Sequence, residues 1–429
     1  MQLEHISLFV AFLLITCPSN YCKLRDSAIL ATLAIQPKNI EVARDVDIKH
    51  NKLINPMINF GFKSFLEINS QSDTEENILI SPLSIETALY MSMNGAIDRT
   101  FEEMLNALEC EGLSRSEINQ NYSEFQKVIA MDATAKNSLA IENAVFWDKG
   151  GIRVWDPFVR NMNGFYKSEM YDLPRPEFTA EVINKWAEEK TEGRIPKVID
   201  EIEEDEILFI LNALYFIGDW SRTFVSKATR VDDFYLETGK TIKVDMMRQE
   251  NSFKHYSDDE LQAVDLSFVD DNYAMTFIQP TGGINQYLAR KNFEQLAKLY
   301  KRLVCCKFQN EQIILNLPKF ELSYKRNISD DLVALGMPRA FDEDYAEFQD
   351  LGRAGGNIFI SRVIHDTFLK IDENGAEGAA VTTVAFAAES ARMTPPLTFT
   401  FDKAFLVVLR HKSTGVPIFI GKMMDPSQK

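Results

Sequence analysis

The residue types that most often carry catalysis or bind metals are sparse and scattered in this sequence. None of its histidines has a second histidine or a cysteine at metal-ligand spacing, so we predict no metal site and no cofactor. The sequence also lacks a Gly-x-Ser-x-Gly segment, a phosphate loop and a dinucleotide fingerprint. A Ser/His/Asp triad is assembled by folding and need not show in a sequence. No pattern indicates one, however, and we predict that the protein is not an enzyme. The five histidines are His5, His50, His255, His365 and His411.

One long segment suggests chemistry of another kind, in which the chain itself becomes part of a sheet. From Glu373 to Thr394 there is no proline, and Pro395 and Pro396 follow. Arranged as a strand, the segment has one face without charge, and such a segment can add to a sheet with that face buried. An ordinary edge or core strand and an alanine-rich linker are the alternatives. The uncharged face consists of Ala376, Gly378, Ala380, Thr382, Val384 and Phe386.

The first half of the chain is predicted to be rich in helices. Apolar residues recur at helical spacing from Ile54 to Ile68. A short apolar strand over residues 77–82 ends at Ser81-Pro82, where serine suits a helix cap and proline a first turn. A further helix is predicted over Glu181–Lys190. We interpret the acidic run Glu201–Glu206 as a solvated turn.

Strands dominate the second half, which predicts an α+β fold in one large domain. The run from Leu208 to Trp220 is apolar almost throughout and indicates a central strand covered on both faces. One helix is predicted at Ser329–Leu335. The later strands are predicted at Thr241–Met247, Ala274–Gln279, Ile313–Phe320, Val363–Ile371, Phe405–Leu409 and Ile418–Gly421.

The overall charge limits the possible partners. The 429 residues have a formal net charge of -17, and no cluster of five or more basic residues occurs. Nucleic acid, anionic membranes and heparin-like polyanions bind through concentrated lysine and arginine. We therefore predict none of the three as a partner.

The N-terminus resembles a secretory signal. An apolar run from Ile6 to Thr16 is too short to cross a bilayer but suits the hydrophobic region of such a signal. No lysine or arginine precedes it, and a retained anchor is the alternative reading. We predict a signal peptide over residues 1–22, an N-terminal extension over residues 23–50, a domain over residues 51–429 and a secreted protein.

The cysteines do not suggest a disulfide framework. Removal of the signal would leave Cys110, Cys305 and Cys306. Neighbouring cysteines rarely pair with each other, so we expect free or buried thiols. Asn121-Tyr122-Ser123 and Asn327-Ile328-Ser329 match glycosylation acceptors, which only a secreting eukaryote would use.

Many segments, in order, resemble the serpin family from about residue 50 to the C-terminus. The residues from Asn77 to Ile85 are similar to its Asn-x-x-x-Ser-Pro-x-Ser-Ile segment. The other matching segments are Ile183-Asn184-x-Trp186, Thr191-x-Gly193-x-Ile195, Asn212-Ala213-Leu214-Tyr215-Phe216-x-Gly218-x-Trp220, Val244-Asp245-Met246-Met247, Leu317-Pro318-Lys319-Phe320, Leu335-Gly336-Met337, His365, Glu373-x-Gly375, Phe419-x-Gly421-Lys422 and Pro426.

The resemblance implies three β-sheets, eight or nine helices and an exposed reactive-centre loop, here about residues 373–396. Members of the family offer this loop to a serine protease, which forms an acyl-enzyme on it. The cleaved loop then inserts as a strand of the large sheet and traps the protease in a covalent complex. We expect such an inhibitor to be a monomer. The alternative is a non-inhibitory serpin that acts as a ligand carrier or chaperone.

The resemblance also implies roles for residues around the loop. Three groups follow, which we name the shutter cluster, the breach cluster and the loop hinge. Two loop residues differ from the pattern of the family. Ala376 stands where serpins usually have Thr or Ser, and Val381 is bulkier than the small residue that is common at its position. The shutter cluster is Ser81, Ser84, Asn212 and His365; the breach cluster is Trp220, Lys319 and Glu373, with a Lys319–Glu373 salt bridge; the loop hinge is Glu373, Gly375, Ala376, Gly378, Ala379 and Ala380.

The bond that a protease would cut stays open between alternatives. Counting seventeen residues from Glu373, as is usual in inhibitory members, gives Glu389–Ser390 and a protease with an acidic preference. Counting back from Pro395 gives Arg392–Met393, which suits a trypsin-like protease. Ala387-Ala388 would suit an elastase.

Overall fold

The computed structural model describes residues 7–16, 48–191, 193, 195–376 and 396–428. The predictions for the rest of residues 1–47 and for most of the reactive-centre loop therefore lie outside the described residues.

Nine α-helices occur in the described part of the chain. The helix predicted over residues 54–68 is α1, and that predicted over residues 181–190 is α6. The hydroxyl of Ser81 accepts a hydrogen bond from the backbone N–H of Ser84 and caps α2, as its position before Pro82 predicts. The helices are α1 (Ile54–Ser70), α2 (Pro82–Met93), α3 (Asp98–Ala107), α4 (Arg115–Met131), α5 (Asp156–Tyr166), α6 (Ala180–Lys190), α7 (Ile284–Ala289), α8 (Phe293–Arg302) and α9 (Ser329–Ala334).

The strands of the described residues form sheets of seven, nine and two strands. The α+β class with three sheets is thus confirmed. In chain order the strands are β1 (Ser7–Thr16), β2 (Ile78–Ile80), β3 (Asn137–Asp148), β4 (Ile152–Val154), β5 (Glu169–Leu173), β6 (Glu206–Asp219), β7 (Arg230–Tyr235), β8 (Thr241–Ser257), β9 (Leu261–Ser267), β10 (Tyr273–Pro280), β11 (Gln309–Pro318), β12 (Phe320–Asn327), β13 (Gly352–Ala354), β14 (Phe359–Ile371), β15 (Gly375–Ala376), β16 (Leu397–Thr400), β17 (Phe405–His411) and β18 (Pro417–Met423).

The seven-stranded sheet carries the candidate site. Its order is β12-β14-β1-β6-β3-β5, and β15 pairs with the end of β6. Strand β1 is antiparallel to both of its neighbours, β14 and β6. We call the position between β6 and β14 the central slot.

Strand β6 is the central element of this sheet, as its apolar sequence predicts. Leu208 and Leu214 pack into the larger apolar core, whereas Phe209 and Leu211 pack into a smaller core with α6. Successive side chains of a strand point to opposite faces, so both faces of β6 are covered.

The nine-stranded sheet has the order β16-β11-β8-β9-β10-β17-β18-β2, with β7 paired to β8. Strands β4 and β13 form the two-stranded sheet. The described chain resumes at Pro396, directly before β16. Strand β16 lies at the edge of the nine-stranded sheet and is parallel to β11.

Three sequence predictions need correction. Ile313–Phe320 is not one strand, because β11 ends at Pro318 and β12 begins at Phe320, in a different sheet. The helix-rich half also contains the long strand β3. Glu206 is not part of a solvated turn, since it opens β6, is buried and forms an ion pair with Arg362 at 2.9 Å.

The expectation of free thiols is wrong for the neighbouring cysteines. Cys305 and Cys306 are joined by a disulfide in the wide π-type turn that follows α8. In such a turn the side chains of neighbours are not held on opposite faces, as they are in a strand. Cys110 is a buried free thiol, as expected.

Candidate functional site

The four predicted shutter residues lie together beneath the middle of the central slot, and all four are fully buried. The backbone N–H of Ser81 donates to Nε2 of His365 at 3.2 Å. The hydroxyl of Ser84 donates to Oδ1 of Asn212. The start of α2 is thus tied to both β6 and β14, the two edges of the slot.

His365 is held as a neutral imidazole. Burial lowers its pKa to about 3, because the charged form would lose its hydration. Its Nε2 accepts the hydrogen bond from Ser81, so the ring proton belongs on Nδ1. The shutter cluster therefore holds the strand edges without any net charge.

One hydrogen-bond partner of this cluster, Asn143, is not among the residues predicted from the sequence. The amide of Asn212 donates to Oδ1 of Asn143 on β3 at 2.8 Å, and the amide of Asn143 donates to the carbonyl oxygen of Tyr166 at 2.8 Å. Two residues beyond His365 on β14, the hydroxyl of Thr367 donates separately to the carbonyl oxygen of Leu79 at 2.9 Å. A polar residue on the covered face of a strand was the available signal for Asn143, because such a residue needs a partner.

The three predicted breach residues lie at the end of the slot from which the loop leaves β14. Nζ of Lys319 is 2.9 Å from Oε2 of Glu373, which is the ion pair that we predict. The indole N–H of Trp220 donates to the carbonyl oxygen of Asp372 at 3.0 Å, and its ring stacks on Phe268 with centroids 4.5 Å apart.

Glu373 is anchored by more than its ion pair. The hydroxyl of Thr229 donates to its Oε1 at 2.7 Å, and the backbone N–H of Phe224 donates to its carbonyl oxygen at 2.8 Å. Burial of the carboxylate acts to raise its pKa, but the hydrogen bonds from Thr229 and Lys319 outweigh that effect and hold the pKa of Glu373 below its ordinary value. The start of the loop is therefore fixed by a charged carboxylate.

The first hinge residues already belong to the sheet. Gly375 and Ala376 form β15 and pair with Asp219 and Gly218 of β6. A Cβ on Gly375 would lie 2.0 Å from the carbonyl oxygen of Gly218, so only glycine fits this approach. Ala376 is fully buried, and its small side chain suits that position.

The other predicted loop residues lie outside the described residues. These are the hinge residues Gly378, Ala379 and Ala380, and the alternative cleavage residues Glu389, Ser390, Arg392 and Met393.

The apolar run at the N-terminus forms a strand in the described structure. Residues Ser7–Thr16, which we predict as part of a signal peptide, form β1 in the central slot. This pairing does not test whether the segment is removed, so the signal peptide stays a prediction. Among the helices of the described residues, none is long and apolar enough to cross a membrane.

The described residues contain no group of three or more His, Cys, Asp or Glu that could hold a metal ion. His255 and His411 lie apart from the slot: His255 is buried beside Phe399, and His411 lies 2.8 Å from Asp132.

Comparison with known proteins identifies the family. The family model for serpins, the serine protease inhibitors, matches residues 56–426. The chain belongs to the serpin family. It is similar to alpha-1-antiproteinase S of Cavia porcellus, with 28% identity over 87% of this chain and 90% of that protein.

Solved serpin structures resemble the fold over nearly the whole chain. Tengpin, a thermophilic serpin, in its native state has a TM-score of 0.78 at 26% identity, with 91% of this chain and 96% of that chain covered. Human thyroxine-binding globulin in complex with its ligand has a TM-score of 0.75 at 23% identity, with 88% and 99% covered. That second likeness concerns the fold alone.

Proposed function

We propose that this serpin is a secreted inhibitor of serine proteases that acts as a single-use suicide substrate. The protease would attack the reactive-centre loop, form an acyl-enzyme and be carried along as the cleaved loop inserts into the central slot. In this mechanism the serpin supplies no catalytic residue, cofactor or metal. It would act as a monomer, after removal of residues 1–22.

The observation that carries this proposal is the pairing of the loop hinge with β6. Residues Gly375–Ala376 run antiparallel to β6 at the mouth of the slot. The chain therefore already turns back from β14 along the edge that an inserted loop would follow. The ion pair of Glu373 with Lys319 fixes the point from which insertion would start.

Extending this register supports insertion over the whole length of β6. Ala376 pairs with Gly218, so Gly378 would face Phe216 and Ala388 would face Glu206, the first residue of β6. A cleaved loop could then form ladder hydrogen bonds along all of that strand.

The faces of the loop also suit this register. Ala380 would lie opposite Leu214, which belongs to the larger core, and Thr382 would lie opposite Asn212 of the shutter cluster. The uncharged face of the loop would thus turn toward the core, and a hydroxyl would meet the polar cluster. Burial on that face would need no charge to be desolvated.

The energy of insertion needs a further source. About a dozen ladder hydrogen bonds contribute roughly 0.5–1.5 kcal/mol each, while ordering each residue costs about 1–2 kcal/mol. The ladder hydrogen bonds alone therefore do not outweigh the cost of ordering the loop. We infer that the uncleaved protein stores strain that insertion releases.

The register favours the earlier of the two candidate bonds. Cleavage at Glu389–Ser390 would leave an inserted arm that ends just beyond Glu206, where β6 begins. Cleavage at Arg392–Met393 would leave an arm three residues longer and the protease less compressed. A protease with an acidic preference is therefore the leading target class, with a trypsin-like protease as the alternative.

A proline in the hinge tests the mechanism. Ala380→Pro removes a ladder donor in the segment that must become a strand, so the variant should be cleaved by the protease without trapping it. Ala380→Gly is the matched control, because it keeps the N–H and adds no bulk. An unchanged stoichiometry of inhibition for Ala380→Pro would refute loop insertion.

A carrier or chaperone on the same scaffold is the competing function. It predicts that every protease of a test panel cleaves the loop without a covalent complex and without a gain in thermal stability afterwards. A hinge of this alternative class would tend to carry bulky, charged or proline residues, whereas residues 375–382 contain Glu377 as the one charged residue.

A further inference from the structure

We propose that Ser7–Thr16, in a chain that retains it, occupies the central slot and prevents insertion of the cleaved reactive-centre loop. This inference rests on the proposed function, because it concerns the same slot. The occupant is a segment of the chain itself, and its removal would convert a protease substrate into an inhibitor.

The backbone pairing of β1 uses both edges of the slot. Residues Ser7–Thr16 pair with β6 from Phe216 to Glu206, and Leu8–Thr16 pair with β14 from Phe368 to Phe359. A strand paired on both sides satisfies the N–H and C=O groups that the two edges would otherwise present to each other across a gap.

Strand β1 also lies end to end with β15 along β6. Ala376 of the loop hinge pairs with Gly218, and Ser7 pairs with Phe216, so one residue of β6 separates the two pairings. Both strands are antiparallel to β6. If the loop inserted in this register, its residues from Gly378 onward would take the positions that β1 occupies.

The two segments therefore compete for the same hydrogen bonds. In the register of β15, residues 378–388 would face residues 216–206 of β6, which are the residues that β1 faces. Ala11 is paired with both Asn212 and His365, so β1 also passes across the shutter cluster. Occupancy by one segment excludes the other.

The sequence of β1 suits a strand that is enclosed by neighbours. Its residues, SLFVAFLLIT, include no charge, no proline and no glycine. A strand between two others in a covered sheet is typically such a continuous apolar run. Residues 17–47 follow, a length that can span roughly 100 Å when extended, so the distance to Ile48 does not forbid this docking.

The first test compares the full chain, residues 1–429, with residues 23–429, both made where no signal peptidase acts and checked by mass spectrometry. If β1 holds the slot in nine of ten molecules, the full chain should need at least ~10-fold more inhibitor per mole of protease trapped. Cleavage of its loop should also bring no gain in thermal stability, whereas residues 23–429 should gain. Equal stoichiometries for the two chains would overturn the inference.

A proline variant of the full chain tests whether the segment blocks the slot as a strand or merely by being present. Ala11→Pro interrupts β1 and should restore trapping to within about 2-fold of residues 23–429. Asn20→Pro, outside β1, should leave the full chain blocked. A full chain that stays blocked with Ala11→Pro would contradict occupancy by this strand.

Cysteine pairs test the register without any protease. With Cys17 and Cys22 replaced by serine, Val10→Cys and Ala213→Cys should form a disulfide, because those residues are paired. Ala11→Cys with Ala213→Cys is the control, since a one-residue shift places the side chains on opposite faces. Absence of the first disulfide, or equal yield from both pairs, would overturn the inference.

The two proposals fail in distinguishable ways. If residues 23–429 trap no protease, the inhibitory function fails, and the disulfide pair still decides whether β1 holds the slot. If residues 23–429 trap protease and the full chain traps it equally well, only the inference about β1 fails.

Discussion

The shutter cluster and the breach cluster lie along the same slot but hold it by different means. The shutter cluster is fully buried and neutral, and its side chains tie α2 to β6 and β14 through hydrogen bonds. The breach cluster contains a charged pair, and the side chain of Lys319 is 35% exposed.

The difference suits the roles that we propose for the two clusters. Strands that part at a shutter would leave any buried charge unpaired in an apolar core, at high cost, whereas neutral groups can exchange partners. At the mouth of the slot, water reaches Lys319, and hydrogen bonds from Thr229 and Lys319 offset the desolvation of the buried Glu373 carboxylate, so an ion pair can fix the loop hinge there. The following substitutions test this contrast, from the largest expected effect to the smallest.

Asn212→Ala should be the most damaging. It leaves the hydroxyl of Ser84 and Oδ1 of Asn143 without their partner in the buried core. We expect a loss of about 3 kcal/mol in the free energy of unfolding, measured with urea. Asn106→Ala, on the exposed surface of α3, is the control and should change stability little. An equal effect of the two variants would contradict the shutter role.

Gly375→Ala should disrupt the loop hinge. Its Cβ would overlap the carbonyl oxygen of Gly218, so β15 cannot pair as it does and stability should fall by about 2 kcal/mol. Gly282→Ala is the matched control, because the nearest atom to its Cβ is 3.6 Å away on the flexible side chain of Gln286. Thermal unfolding of the two variants measures the difference, and equal losses would refute the close approach.

His365 should make the shutter cluster sensitive to acid. Its folded pKa, about 3, is below its unfolded value, so the unfolded chain binds a proton first as the pH falls. The stability that neutral His365 contributes is complete above about pH 6.5 and is lost toward pH 3, at about 1.4 kcal/mol per pH unit. Urea unfolding at pH 7 and pH 5 should therefore show a steeper loss for the natural protein than for His365→Gln. Equal slopes would show that His365 is not the responsible group.

Lys319→Gln should have the smallest effect of the four. The partly exposed ion pair is worth roughly 0.5–1 kcal/mol, and 1 M NaCl should remove most of the difference from the natural protein. The pKa of Glu373 is lowered, so its contribution is present above its unfolded pKa and is lost as the pH falls through the folded value. Lys227→Gln, an exposed lysine, is the control. A loss of several kcal/mol would mean that the breach pair behaves as a buried one.

Much of the fold follows from local sequence patterns. Ser81-Pro82 marks the start of α2, and the apolar run at Leu208 marks β6, because each pattern has one dominant physical explanation. The ordered motifs, through the resemblance to serpins, predict that Ser81, Asn212 and His365 lie close together. The polar side chain of Asn143 in a covered strand indicates that it needs a partner, but no local pattern identifies that partner as Asn212, which is distant in the chain.

The N-terminal run shows where composition alone leaves two roles open. A secretory signal and a strand enclosed in a covered sheet both need about ten uncharged apolar residues. The run from Ile6 to Thr16 satisfies both, so its composition does not distinguish export from occupancy of the slot. The disulfide between Cys305 and Cys306 depends on the geometry of the turn after α8, and the two adjacent cysteines alone do not predict that geometry.

Covalent trapping by residues 23–429 is the most direct test of the proposed inhibition. The protein would be incubated with trypsin, an elastase and a serine protease that prefers Glu or Asp, and the products analysed on denaturing gels and by mass spectrometry. We predict an SDS-stable complex with at least one protease, most of all the acid-preferring one, and a new N-terminus at Ser390, or at Met393 if trypsin is trapped. Cleavage by all three without a complex or a gain in thermal stability would contradict the inhibitory mechanism.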